Sequence, residues 1–307
     1  MKRLLLLAIA PVLVFNSCKK GCTDPLAMNY DVNAKKENNS CTYPVVEQDE
    51  PLLIIKLKFD STQTRLDNFG QPATMPAGNS AQSPVFHGMS AHYIELAQSS
   101  ITQLGNGEII FTGEETNVGG SNAVDFSQAI VKGNEEVFLE LPLSSISPDT
   151  YNWLRVSLTY QNYDIKFKAN GFDLTGRLAS FVGFNTYISD YTINSQSVAV
   201  NANKLQGYWG FETLGNVTEG QAPATTVPNP LSATSPVPAG SCVVTGEFDA
   251  PFTITGNETE SITMTLSLST NNSFEWSDDN QNGIYEPLDG DTVVDMGLRG
   301  LEMIISQ

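Results

Sequence analysis

SITMTLSLS, Ser261 to Ser269, sets apolar and hydroxylated residues at alternate positions. Ile262, Met264, Leu266 and Leu268 share one side, and Ser261, Thr263, Thr265 and Ser267 share the other. A period of two belongs to a β-strand with one face buried and one wet. The same rhythm recurs along the chain. In LLIIKLKFD (52–60), Leu53, Ile55, Leu57 and Phe59 oppose Ile54, Lys56, Lys58 and Asp60. EEVFLELPL (135–143) offers Val137, Leu139 and Leu141, and NWLRVSLTYQ (152–161) offers Leu154, Val156, Leu158 and Tyr160. MSAHYIELAQS (89–99) is the one helical candidate, and it also reads as a strand. Clusters of Asn, Gly, Pro and Ser separate these runs, and none sustains a 3.6-residue period with helix caps. The pattern predicts an all-β fold, an antiparallel β-sandwich over residues 51–307.

Within that span, residues 215–241 carry five prolines and few large apolar residues. Such a stretch cannot supply a central strand. It reads as a long Pro-rich loop of one domain, because 242–307 holds too few strands to stand as a separate sandwich. The 307-residue chain is 40% hydrophobic, ample for a core, and its net charge of −18 repels nucleic acid and anionic membrane surfaces. The same charge attracts cations or a positive partner surface. Signs of catalysis are thin. The chain has two histidines and no nucleophile elbow or phosphate loop. The acid pairs Glu114–Glu115 and Glu135–Glu136 sit on neighbouring strand positions, whose side chains diverge. The expectation is a protein that is not an enzyme.

The N-terminus reads MKRLLLLAIAPVLVFNSC. Lys2 and Arg3 precede an apolar run from Leu4 to Phe15, too short for a bilayer, where about 20 residues are needed. Residues 1–17 therefore read as a signal peptide. Phe15-Asn16-Ser17-Cys18 resembles the bacterial lipobox, with Phe15 where that motif prefers leucine. The resemblance implies lipidation at Cys18, a membrane partner reached through that lipid, and, with Lys19 following rather than aspartate, the outer membrane. Residues 18–50 then form lipid anchor, module and linker. GCTDPLAMNYDVNAKKENNSCTYP (21–44) is similar to a short module of bacterial surface proteins, matched at Cys22, Thr23, Asp24, Pro25, Ala27, Asn29, Tyr30, Ala34, Ser40 and Cys41. That resemblance implies a Cys22–Cys41 disulfide, which would close a loop of about twenty residues and contribute roughly 3 kcal/mol. Asp24, Asn29, Asp31 and Asn33 supply turns in the simpler reading and a cation site in the other. Cys242, left over, reads as a buried inert thiol.

Two places carry candidate chemistry. DDNQNGIYEPLD (278–289) fits the spacing of an EF-hand calcium loop, with Asp278 at position 1, Asn280 at 3, Asn282 at 5, Gly283 at 6, the Ile284 carbonyl at 7, Glu286 at 9 and Asp289 at 12. Aspartate in place of the closing glutamate resembles dockerin-type loops. Pro287 and the strand-like flanks FEW and TVVDMG place this loop between strands rather than helices. The plainer alternative is an Asx-rich turn with solvated acids. The second place is PVFHGMSAHYIEL (84–96), holding His87, Met89 and His92; imidazole and thioether suit copper. The histidines, five apart, fall on opposite faces of an unbroken strand, and a bulge near Gly88 would be needed to unite them. The order of an LKF strand, MSAHYIELAQ, SPDTYNWLRVSLTY and QGYWGFE resembles the MbnP-like copper-binding domains of exported bacterial proteins, over roughly 52–213. The resemblance implies copper held by histidines with a tryptophan nearby, for which Trp153, Trp209 and Trp276 are candidates.

The sequence thus leads to the expectation of an outer-membrane lipoprotein, a metal-associated binding or accessory protein with calcium in one loop and copper at the histidines. The rival expectation is a metal-free surface module binding protein or glycan.

Overall fold

A computed structural model describes residues 19–43, 50–66, 72–222 and 237–306. The signal-peptide segment, Cys18, most of the linker and the centre of the Pro-rich loop lie outside the described residues. The chain divides into two compact units, 1–49 and 50–307.

The small unit pairs β1 (Lys20–Gly21) with β2 (Lys36–Glu37) in parallel and is stapled by a Cys22–Cys41 disulfide with Cα atoms 4.8 Å apart. Its acids and amides hold turns. Asp24 accepts from the Leu26 N–H and the Tyr43 hydroxyl, Asp31 from the Asn33 N–H, and Asn29 from the Thr42 N–H. Glu37 accepts from both the N–H and hydroxyl of Thr23.

The large unit is nearly all strand: β3 (Leu52–Asp60), β4 (Asn79–Gln82), β5 (Val85–Ala97), β6 (Glu108–Thr112), β7 (Glu115–Thr116), β8 (Ala123–Asp125), β9 (Val137–Pro142), β10 (Asp149–Ala169), β11 (Phe172–Phe181), β12 (Asn185–Ile193), β13 (Gln196–Leu205), β14 (Tyr208–Thr213), β15 (Asn216–Gln221), β16 (Cys242–Ile254), β17 (Ile262–Ser269), β18 (Phe274–Ser277), β19 (Thr292–Asp295) and β20 (Leu301–Ser306). Helical character among the described residues is confined to two 3-10 turns, Phe126–Gln128 and Leu143–Ser145. The candidate helix 89–99 is the body of β5.

Seven strands form the central sheet, in the order β15-β14-β11-β10-β5-β6 with β16 also on β10. The 21-residue β10 is its spine. Along one edge it meets β5. Along the other its first half pairs with β16 and its second half with β11. The β20-β17-β3-β9 sheet covers the front face at one end, where Leu53, Ile55, Leu57, Met264, Leu266 and Leu268 pack on Ile94, Leu96, Leu154, Val156 and Leu158. The β19-β18-β4 sheet covers the front at the other end through Phe274 and Trp276, which cluster with Tyr163 and Ile165. The β13-β12-β8-β7 sheet covers the reverse face, packing Ile188, Tyr191 and Ile193 on Tyr160 and Phe181. The result is the expected antiparallel sandwich with two parallel exceptions, β3 with β17 and β8 with β12.

Parity holds where strands run straight and fails at bulges. Leu154, Val156 and Leu158 face front as expected, but Tyr160 faces the reverse. The pairs Ser157–Tyr93, Leu158–Ala91 and Tyr160–Ser90 leave Thr159 and His92 unmatched. An unmatched residue on each strand restarts the alternation out of phase. In β9 the most buried side chain is Phe138, with Leu139 and Leu141 only half-buried. Residues 216–221, read from the sequence as the start of the Pro-rich loop, instead extend the sheet as edge strand β15, because this segment, NVTEGQ, ends before the first proline at 223 and keeps every backbone donor. A close approach fixes Gly210, since a Cβ there would lie 1.9 Å from the Tyr191 hydroxyl oxygen.

Candidate calcium loop and histidine positions

Residues 278–291 connect β18 to β19 as a folded turn, and their side chains converge. Asp278 is buried. Its carboxylate accepts from the Ser80 hydroxyl at 2.7 Å, the Gly283 N–H at 2.8 Å and the Asn282 N–H at 3.2 Å. The Ser80 bond first, with the backbone donors behind it, holds its pKa below the ordinary carboxylate value. Gly283 takes a φ of +74°, the left-handed turn expected of position 6.

The amide nitrogens of Asn280 and Asn282 both donate to Glu286 Oε2, at 2.9 and 2.7 Å, and depress the Glu286 pKa in that order. The amide oxygens accept from N–H groups two residues on, Asn280 from Asn282 and Asn282 from Ile284. Positions 1, 3, 5 and 9 are therefore engaged with one another or with the loop's own backbone. Position 12 stands apart, because Asp289 is exposed. The loop is closed instead by Asp291, a buried residue that spacing alone did not single out. Its carboxylate accepts from the N–H groups of Asp279 and Glu286 at 3.1 and 2.7 Å. Asp291 lies two residues past the twelve-residue window, so the template had no place for it. Tyr285 anchors the turn, meeting Phe274 edge-on and Trp276 at a tilt while its carbonyl accepts from the Lys168 N–H.

The histidines occupy bulges. Asn162 pairs with Gly88 and Tyr163 with Phe86, so His87 is skipped as His92 is. The bulges do not unite the two rings, which take different partners. His87 Nε2 lies 2.8 Å from Asp164 Oδ2 and 2.9 Å from Arg177 Nη2, with its side chain 36% exposed. Burial raises the Asp164 pKa, but bonds from Arg177 and His87 outweigh it and leave a net depression. His92 is 2% exposed. Its Nε2 lies 3.0 Å from Glu115 Oε1, and Asn122 donates to the other Glu115 oxygen. Burial lowers the His92 pKa despite the neighbouring carboxylate. Met89 is fully buried in the front core, and its backbone bridges to Lys132. Among the described residues, the one trio of Cys, His, Asp or Glu ligand atoms within 4.8 Å is Cys22, Glu37 and Cys41, whose sulfurs the disulfide consumes. Trp276 lies in the core beside Tyr285, while Trp209 and Trp153 are half-buried.

Cys242 is half-buried against the front core. Burial, with Asp295 nearby, pushes its thiol up to about 12. No family model, curated protein or solved structure matches this chain.

Proposed function

We propose that this chain is a lipid-anchored binding or accessory protein of the outer membrane, whose β-sandwich body uses calcium to brace the loop between β18 and β19. The observation that carries the reading is the convergence of Asn280, Asn282 and Glu286 beside the buried Asp278. An amide has an oxygen at one end and two donors at the other. Half a turn about each Asn χ2 exchanges donor for acceptor and presents two amide oxygens with Glu286 to a hard cation. Neutral amides make a weak site, on the order of 10⁻⁴–10⁻³ M as in extracellular calcium modules.

The test is calcium titration of the purified mature chain with its melting followed in parallel. Millimolar Ca²⁺ raises the midpoint and chelator reverses the rise. Asp278→Asn and Glu286→Gln remove the response. Equal melting in calcium and chelator, with no heat of binding, overturns the reading. Copper is the lesser arm of the same proposal. It is supported by the MbnP-like resemblance and by His87, the accessible one of the three candidates His87, Met89 and His92. Copper titration of the wild type against His87→Ala decides it.

The rival reading is a metal-free surface module for protein or glycan. It is favoured by the loop's carboxylates being satisfied from within, Asp291 above all. Anchoring is tested separately, by lipid labelling that Cys18→Ala abolishes.

A further inference from the structure

The reverse face of the central sheet differs in kind from its front. Around the paired bulges, Ser90 and His92 on β5 and Thr159 on β10 are each at most 2% exposed. Thr186 on β12 reaches the same place and is fully buried. A Cβ built on Gly183 would lie 3.2 Å from Thr186 Oγ1 and 3.3 Å from Thr159 Cγ2, so both threonines close on one glycine. The His92 ring stands beside Phe184, with centroids 5.6 Å apart. The hydroxyls of Ser90, Thr159 and Thr186 and the Nδ1 of His92 have no hydrogen-bonding partner in the protein. The other ring nitrogen, Nε2, is committed to Glu115.

Four buried polar atoms without partners on one seam are unusual, because buried polar groups are nearly always satisfied. With Nε2–H donated to the carboxylate, Nδ1 carries a bare lone pair and needs a donor. The hydroxyls can both donate and accept. We propose that the seam between β5, β10 and β12 is a built internal water site, in which one or more ordered waters donate to His92 Nδ1 and bridge the Thr159, Thr186 and Ser90 hydroxyls. Water fits the chemistry, being neutral, small and able to serve two to four polar partners. Three hydroxyls and one imidazole are a poor shell for a hard cation and lack the soft donors that select copper. The bulges that displace His92 and Thr159 from the ladder turn these polar groups to the seam.

A high-resolution crystal structure of the mature chain, with melting of Thr159→Val and Thr186→Val, tests the proposal. Valine keeps the shape and removes the hydroxyl. The expected result is ordered water within hydrogen-bonding distance of His92 Nδ1 and at least one of the three hydroxyls, with each valine variant melting roughly 2–4 °C lower. A dry seam in which both variants melt higher overturns the proposal. So does a structure in which the hydroxyls bond directly to main-chain carbonyls.

Discussion

The 19–43 module and the 50–306 body are both disulfide- or strand-built, yet they are held by different forces. In the module, Cys22 and Ala27 are the buried apolar residues, while Leu26 and Met28 are 82% and 74% exposed. Its order comes from one covalent link and from carboxylates capping backbone N–H groups. In the body, a continuous apolar cluster joins β3, β5, β10, β16, β17 and β20. The difference teaches that size decides the device. A segment of some two dozen residues buries too little surface to fold on burial alone, whereas a chain ten times longer does so.

The largest break of that contrast is expected from Leu266→Ala, which empties a fully buried position in the front core. It should cost the body about 2–5 kcal/mol in urea unfolding followed by tryptophan fluorescence, and leave the module's NMR signals in place. The converse break, Cys41→Ser, should cost the module roughly 3 kcal/mol and leave the body's transition where it was. A smaller effect sharpens the comparison through pH. Glu37, held to about 2 by the Thr23 N–H and then its hydroxyl, is depressed from 4.5. Its contribution is complete above 4.5 and is lost as pH falls through about 2. Following the Thr23 amide by NMR should show that acid loss, and Glu37→Gln should abolish it. The body's thiol gives a reactivity readout that costs the fold nothing. Cys242, at about 12, should react with iodoacetamide at pH 8 about a thousand-fold more slowly than a free thiol until the body unfolds.

The strand pattern was legible where neighbours in sequence stay neighbours in parity. Leu53, Ile55 and Leu57 are buried as their spacing predicts, and so are Ile262, Met264, Leu266 and Leu268. The expected Cys22–Cys41 pairing is present. Tyr160 was not legible, because a bulge is a property of two strands in register and NWLRVSLTYQ shows only one of them. Nor was the parallel β3–β17 pair, since alternation is the same in either direction. In the calcium loop, spacing found Asp278 and Glu286 but not Asp291, whose role depends on a chain reversal that brings it under the N–H groups of Asp279 and Glu286. The His87–Asp164–Arg177 cluster joins three strands and has no linear signature.

β3 opens the body and lies in parallel register with β17, Leu53 beside Ile262 and Asp60 beside Ser269. On any route by which the chain emerges N-terminus first, the opening strand must wait for almost the entire polypeptide before its partner arrives. β10 waits likewise for β16. Pairings of such long sequence separation carry a loop-closure cost before any contact rewards them, which makes folding slow and late. A truncation anywhere before residue 262 would leave an unmatched apolar edge exposed, so incomplete chains should fall to aggregation or proteolysis rather than persist as shortened folds.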